Sequence, residues 1–163
     1  MLGPRKDNLS KDDIYMAVAK LVAKDSKDPN TQVGACLVSE DNRVIGTGYN
    51  GFPRDIPSDS LPWDREGSPE DTKYLYVAHA EENVIDNCDK TRIYGSKLYV
   101  TLFPCQKCAI RIINNKIKEV IYMEDIYKDK PEFIASRRLF TLAGVKIRQF
   151  KASTEQIVID LKT

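Results

Sequence analysis

His79-Ala80-Glu81 and, 26 residues further along, Pro104-Cys105-Gln106-Lys107-Cys108 are the stretches from which the fold can be worked out. His79 is the only histidine among 163 residues, so a metal that needs an imidazole has a single candidate. Cys105 and Cys108 stand at i and i+3, which puts both sulfurs on one side of a first helical turn, and Pro104 just ahead suits a helix start. The positive N-terminal end of such a helix lowers thiol pKa and favours the thiolates a metal binds. Two thiolates and a neutral imidazole balance the charge of one Zn²⁺ per chain and leave a tetrahedral position open, the mark of a catalytic rather than a structural zinc. Water bound there titrates near pH 7 instead of about 15.7, and Glu81 is the carboxylate placed to take its proton. In mid-helix, residues i and i+2 diverge by about 200°. His79 and Glu81 therefore reach one metal only from a helix N-terminus, and the sequence predicts a helix over 80–86 that begins at His79.

A CxxC pair by itself also fits a structural zinc half-site, a redox pair or two buried cysteines. A structural site would want a fourth ligand, and Cys36 and Cys88 have no second ligand at knuckle spacing. A redox pair would leave His79 and Glu81 unexplained. H-x-E followed by P-C-x-x-C on successive strand–helix units is the zinc deaminase pattern.

Beyond those motifs the chain resembles the cytidine deaminase superfamily and, within it, the deoxycytidylate (dCMP) deaminase family, from about Asp12 to Phe150. The resembling text includes residues 26–35 (SKDPNTQVGA), 48–53 (GYNGFP), 61–63 (LPW), 71–74 (DTKY), 79–81 and 102–105 (LFPC). The zinc motif is shared by deaminases of many substrates, and the other segments carry the narrower likeness. The resemblance implies an α/β fold, a three-layer α/β/α sandwich around a five-stranded mixed sheet. It implies zinc-dependent hydrolytic deamination of dCMP to dUMP and ammonia, supplying dUMP for dTMP synthesis, with Glu81 catalytic and His79, Cys105 and Cys108 on the metal. Around the substrate it places Asn50, Ser26, Lys27, Ala80 and Tyr127. It further implies a homo-oligomer, commonly a hexamer, activated by dCTP with Mg²⁺ and inhibited by dTTP, with the effector near Gly51, Phe52, Pro53 and Arg54.

Several of these positions carry plainer readings. Asn50 before Gly51 also fits a turn asparagine, Lys27 an ordinary solvated charge, and Arg54 and Arg111 are rival phosphate partners. The segment 51–71 holds four prolines and no sustained periodicity, and it could instead cover the site or make an oligomer contact. Glu82 stands where some family members have an apolar residue, and its own reading is a surface or interface carboxylate pointing away from the metal. With a lone histidine, the second zinc site of some relatives is absent. Relatives acting on tRNA adenosine or on free bases share the zinc motif but typically lack the long insertion. A non-catalytic zinc-stabilised binding module would need no Glu81.

Twenty-five basic against 24 acidic residues give a net charge of +1, which disfavours a nucleic-acid polymer as partner. Four cysteines without secretory context argue against a disulfide scaffold. No apolar run approaches the length of a membrane span, and a cytoplasmic protein of one domain over 1–163 is expected, with 1–9 and 151–163 as flexible tails. In chain order the patterns predict a helix from a capping box at Ser10–Asp13 to about Lys24, strands over 32–39 and 44–49, and helical character over 72–87. Strands over 97–102, 118–123 and 145–150 follow, with helices over 105–114 and 132–143, the last closed by Gly144. Gly34, Gly46 and Gly48 within the first two strands point to close approach of another backbone or a ligand.

Overall fold

The structure, a computed structural model, describes residues 2–162. Nine regular elements carry the fold: α1 Lys11–Ala23, β1 Gly34–Val38, β2 Val44–Tyr49, α2 Ala80–Asn87, β3 Lys97–Leu102, α3 Gln106–Asn114, β4 Glu119–Glu124, α4 Pro131–Ala143 and β5 Lys146–Gln149. The strands form one five-stranded sheet in the order β2-β1-β3-β4-β5, antiparallel from β2 through β3 and parallel from β3 through β5.

β1 is buried along its whole length because it lies between two layers. Ala35 and Leu37 face α2, α3 and α4, packing with Val84, Ile112 and Phe140, while Cys36 and Val38 face α1, packing with Met16 and Ala19. That alternation is the period-2 pattern of a strand covered on both sides. The expected three-layer α/β/α sandwich with a mixed sheet is the architecture found.

Local chemistry sets the element ends. Ser10 caps α1, its Oγ accepting from Asp13 N at 3.0 Å. Gly144 closes α4 in the left-handed region at φ 70°. The expected helical stretch over 72–87 is interrupted: a short 3₁₀ turn at Lys73–Leu75 gives way to extended backbone, and α2 starts only after His79. The break has two causes. Ala78 pairs with Gly51 as an isolated β-bridge, and Glu82 Oε2 accepts from His79 N at 2.9 Å, fixing His79 as the N-cap. Residues 32, 33, 39, 118, 145 and 150 fall just outside the strands expected to contain them, and Cys105 is the N-cap of α3 rather than its first residue.

The first nine and last thirteen described residues form no helix or strand. The C-terminal segment is nevertheless tied down where Ser153 N donates to Asp13 Oδ1 at 3.1 Å. No helix among the described residues is long and apolar enough to cross a membrane.

Two glycines let helices sit directly on the sheet. A Cβ at Gly34 would lie 1.9 Å from the Ala19 carbonyl oxygen of α1, and one at Gly48 would lie 2.4 Å from Val84 N and 2.7 Å from the Ala80 carbonyl oxygen of α2. Since α2 carries Glu81 and is capped by His79, Gly48 sets their height above the sheet. Replacing Gly48 by Val is expected to cost about 1–3 kcal/mol or more through overpacking and to reduce zinc uptake. An unchanged urea midpoint with full zinc content would show that α2 is not seated by this contact.

Candidate active site

Two helix N-termini converge at the C-terminal end of β3. His79 caps α2, Cys105 caps α3, and Cys108 occupies the first turn of α3. His79 Nδ1 lies 3.6 Å from Cys105 Sγ and 3.3 Å from Cys108 Sγ, and the three donor atoms all fall within 4.8 Å of one another. A tetrahedral zinc with Zn–N of about 2.05 Å and Zn–S of about 2.3 Å separates its N and S donors by about 3.6 Å, so the three side chains already stand at ligand spacing. Nδ1 is the imidazole nitrogen presented.

The protonation chemistry of the donors agrees. Cys105 is pulled down to about 4, first by the hydrogen bond from Cys108 and then by His79, while Cys108 is pushed well above the ordinary thiol value by its thiolate neighbour and by burial. His79 is raised to about 9 by Cys105. One negative sulfur is thus easily made and a second is resisted by like charge, a resistance that a divalent cation removes. Glu81 is 4% exposed and its carboxyl is pushed up to about 7 by burial, partly offset by His79.

These groups line one end of a cavity of about 480 Å³ that also takes in Asn50, Lys73, Tyr74, Tyr127 and Lys130, within the usual range for a small-molecule site. Its far wall carries Arg65 and Lys130 among aromatic rings, with Glu132 beside them. Arg65 Nε donates to Tyr74 Oη at 3.1 Å, and Lys130 Nζ lies 4.5 Å from the centre of the Tyr127 ring, which itself leans on Phe133. Among the described residues neither Arg65 nor Lys130 pairs with a carboxylate.

Of the residues singled out from sequence, His79, Ala80, Glu81, Cys105, Asn50 and Tyr127 line the cavity; Cys108 lies buried behind His79. Ser26 and Lys27 do not line it. Ser26 Oγ is 2.8 Å from both the carbonyl oxygen and Oδ1 of Asn50, and exposed Lys27 reaches Ser58 Oγ at 3.4 Å. Gly51, Phe52, Pro53 and Arg54 also lie away from the cavity lining. Phe52 stacks on Trp63 with ring centres 4.1 Å apart, and Arg54 Nη2 donates to Asn87 Oδ1 at 2.5 Å. Arg111 is engaged by Asp86 and Glu82 on α2. Glu82 points back to cap α2 instead of toward the donors. Arg65 and Lys130 were not reached by reasoning from sequence, and Asp28, Lys73 and Tyr74, though they stand in the resembling stretches 26–35 and 71–74, were given no role there, because only the fold brings these residues together.

Residues 9–124 match the model of the cytidine and deoxycytidylate deaminase zinc-binding region. The chain belongs to that family. It is a deaminase, and the donor set just described accounts for the zinc of the family's description. It is 50% identical over 157 residues to the deoxycytidylate deaminase of Homo sapiens, covering 96% of this chain and 88% of that one. A probable deoxycytidylate deaminase of Drosophila melanogaster is 44% identical over 98% of this chain and 81% of its own. In three dimensions the dCMP deaminase of cyanophage S-TIM5, in apo form, superposes with a TM-score of 0.64 at 21% identity, covering 85% of this chain and 96% of that one. At that identity the likeness speaks for the fold alone.

Cys108→Ser is expected to lose zinc, because the substitution removes a buried thiolate from a three-ligand set. Metal analysis of the purified protein is the check. One zinc per chain in wild type and full occupancy in the variant together would overturn the assignment of these ligands.

Proposed function

We propose that the protein is a zinc-dependent deaminase that converts dCMP and water to dUMP and ammonia, acting as one domain over the whole chain. The observation that carries the reading is the triad of His79, Cys105 and Cys108 at ligand spacing beside a buried Glu81, in one cavity with an unpaired cationic rim. The 50% identity to a deoxycytidylate deaminase supports the substrate, as does the rim, which suits a phosphate.

His79, Cys105 and Cys108 would hold the zinc, which when bound supplies the Lewis acid that lets water attack at neutral pH. Glu81 accepts a proton from the attacking water and delivers it to N3 of the cytosine ring as the new C4–O bond forms. The same carboxylate then takes the second proton, from the new C4 hydroxyl, and hands it to the C4 amine; the C4–N bond breaks as the C4 carbonyl forms, and ammonia leaves. Burial keeps that proton from exchanging with bulk water between the two transfers. Ala80 presents small apolar wall beside Glu81, and Tyr127 with Arg65 and Lys130 meets the sugar–phosphate end. Asn50 shapes the wall between. Ser26 acts through Asn50, and Lys27 sits where the insertion 51–71 meets the 26–33 loop.

Glu81→Gln is expected to keep fold and zinc and to lose roughly 10²- to 10⁴-fold in turnover; dCMP should be handled with higher kcat/KM than deoxycytidine. Ammonia release measured on both substrates decides the matter. Equal efficiency on the two would sink the nucleotide reading, and a Glu81→Gln enzyme within threefold of wild type would move the proton transfer elsewhere.

The regulatory part of the reading places activation by dCTP with Mg²⁺, and inhibition by dTTP, at the segment Gly51, Phe52, Pro53 and Arg54 of a cytoplasmic homohexamer. Its support is the family resemblance together with the position of that segment outside the cavity, where an effector would not compete with substrate. Saturation curves for dCMP should shift to lower concentration with dCTP and to higher with dTTP, and Phe52→Ala should blunt both. A hyperbolic curve unmoved by either nucleotide would remove the regulation and leave the deaminase standing.

A further inference from the structure

Arg137 of α4 does not line the cavity, yet it joins the two ends of it. Its guanidinium carbon lies 4.0 Å from the centre of the Phe103 ring, a cation over an aromatic face. Phe103 lines the cavity, is 1% exposed and stands two residues ahead of the zinc donor Cys105. It is held independently of Arg137: its N–H donates to the Glu124 carbonyl at 2.8 Å, and Tyr122 packs T-shaped against its ring with centres 4.8 Å apart. Phe103 is therefore a fixed point of the donor end.

The same guanidinium donates through Nη2 to Asp125 Oδ2. Asp125 is the first residue after β4 and opens the connection to α4, which supplies Tyr127 and Lys130 to the cavity. The turn is closed locally, with Lys130 N donating to the Tyr127 carbonyl at 3.0 Å and the Tyr127 ring leaning on Phe133. Those contacts shape the turn, whereas the bond from Arg137 ties its start to Phe103. Stability alone explains the pair poorly. The two side chains are 30% and 18% exposed, a setting in which an ion pair contributes about 0–1 kcal/mol, and Asp125 Oδ1 is buried with no partner among the described residues. What the arrangement does supply is geometry, because a planar guanidinium can lie over a ring and donate from its edge at the same time.

We propose that Arg137 is a positioning residue for the phosphate end of the substrate. By bridging Phe103 to Asp125 it sets the distance from the zinc donors to Tyr127 and Lys130, and so lets a phosphate be bound while the cytosine ring sits at Glu81. A nucleoside has no phosphate to place and does not need that distance. The inference rests on the nucleotide deaminase reading above.

The test compares wild type, Arg137→Met, Asp125→Ala and the double variant Asp125→Ala/Arg137→Met for zinc content, melting temperature and kcat/KM on dCMP and on deoxycytidine. The quantity read is the ratio of the two efficiencies, which a general loss of stability or of zinc would leave unmoved. Each single variant is expected to lower the ratio roughly tenfold through a raised KM for dCMP, the worth of a hydrogen bond to a charged group. Zinc content and turnover of deoxycytidine should stay within about twofold of wild type. Because both residues act through one bridge, the double variant should fall no further than the singles. Should Arg137→Met fail to fold, Asp125→Ala and the double variant carry the comparison. A ratio within about twofold of wild type, or equal losses on both substrates, overturns the proposal and leaves the pair a support of the fold. Losses that multiply in the double variant overturn it as well, since the two residues would then act separately. A wild-type ratio near one overturns the nucleotide reading and this inference with it.

Discussion

Holding two sulfurs and an imidazole within 4.8 Å is the constraint on which the rest of the structure depends. Each donor is a cap or first-turn residue, so the constraint falls on where two helices begin rather than on side-chain reach. α3 follows β3 directly through Phe103 and Pro104, and its start is therefore fixed by the sheet. α2 has no such short tether, because a long insertion precedes it. Its start is fixed three ways: by the Gly51–Ala78 bridge, by the Glu82 carboxylate on the His79 amide, and by Gly48, which lets its backbone rest on β2. Two positive helix ends facing each other would repel, and the negative charge that collects on Cys105 gives both a partner.

The second organising feature is polar and lies on the cavity wall. Asn50, Asp28, Lys73 and Ser26 come from three separated parts of the chain, and their mutual hydrogen bonds substitute for a hydrophobic contact between the 26–33 loop, the end of β2 and the insertion. Such a network is stabilising only when complete, since removing one partner of a buried ion pair typically costs about 3–5 kcal/mol while the pair itself gains little over an apolar replacement. Its presence is therefore poorly explained by stability. It does give the wall one geometry.

Most of the fold was legible in the sequence because its signals are local. The apolar strand segment Ala35 to Val38, helical spacing in α1, the Ser10 cap and the Gly144 stop each act within a few residues and survived into the structure. The zinc end was legible for a different reason: one histidine and one cysteine pair leave little choice of partners. The helix beginning at His79 was read correctly, but the helical character expected for 72–78 is not found as a continuous helix, because the interruption comes from Gly51, far away in sequence, together with a carboxylate that returns to cap its own helix. Glu82 does that, and nothing in its neighbours distinguishes a capping glutamate from a surface one. The recognition residues were hidden for the same reason at longer range. Arg54 and Arg111 looked available because a sequence shows charge but not who neutralises it, and here Asn87, Asp86 and Glu82 engage them.

The two ends of the cavity are thus built by different means, and the difference bears on what each can tolerate. The donor end rests on helix caps seated against a sheet, where a shift of a few tenths of an ångström breaks ligand spacing, so the same residue types must recur wherever this chemistry is done. The recognition end rests on loops: the 26–33 segment, the insertion and the β4–α4 connection that carries Tyr127 and Lys130. Loops tolerate substitution and length change without disturbing the sheet. A fold divided in this way can keep one reaction and exchange its substrates, which is why the zinc motif alone could not name the substrate and why a nucleotide is inferred instead from the likeness to a deoxycytidylate deaminase and from the cationic rim.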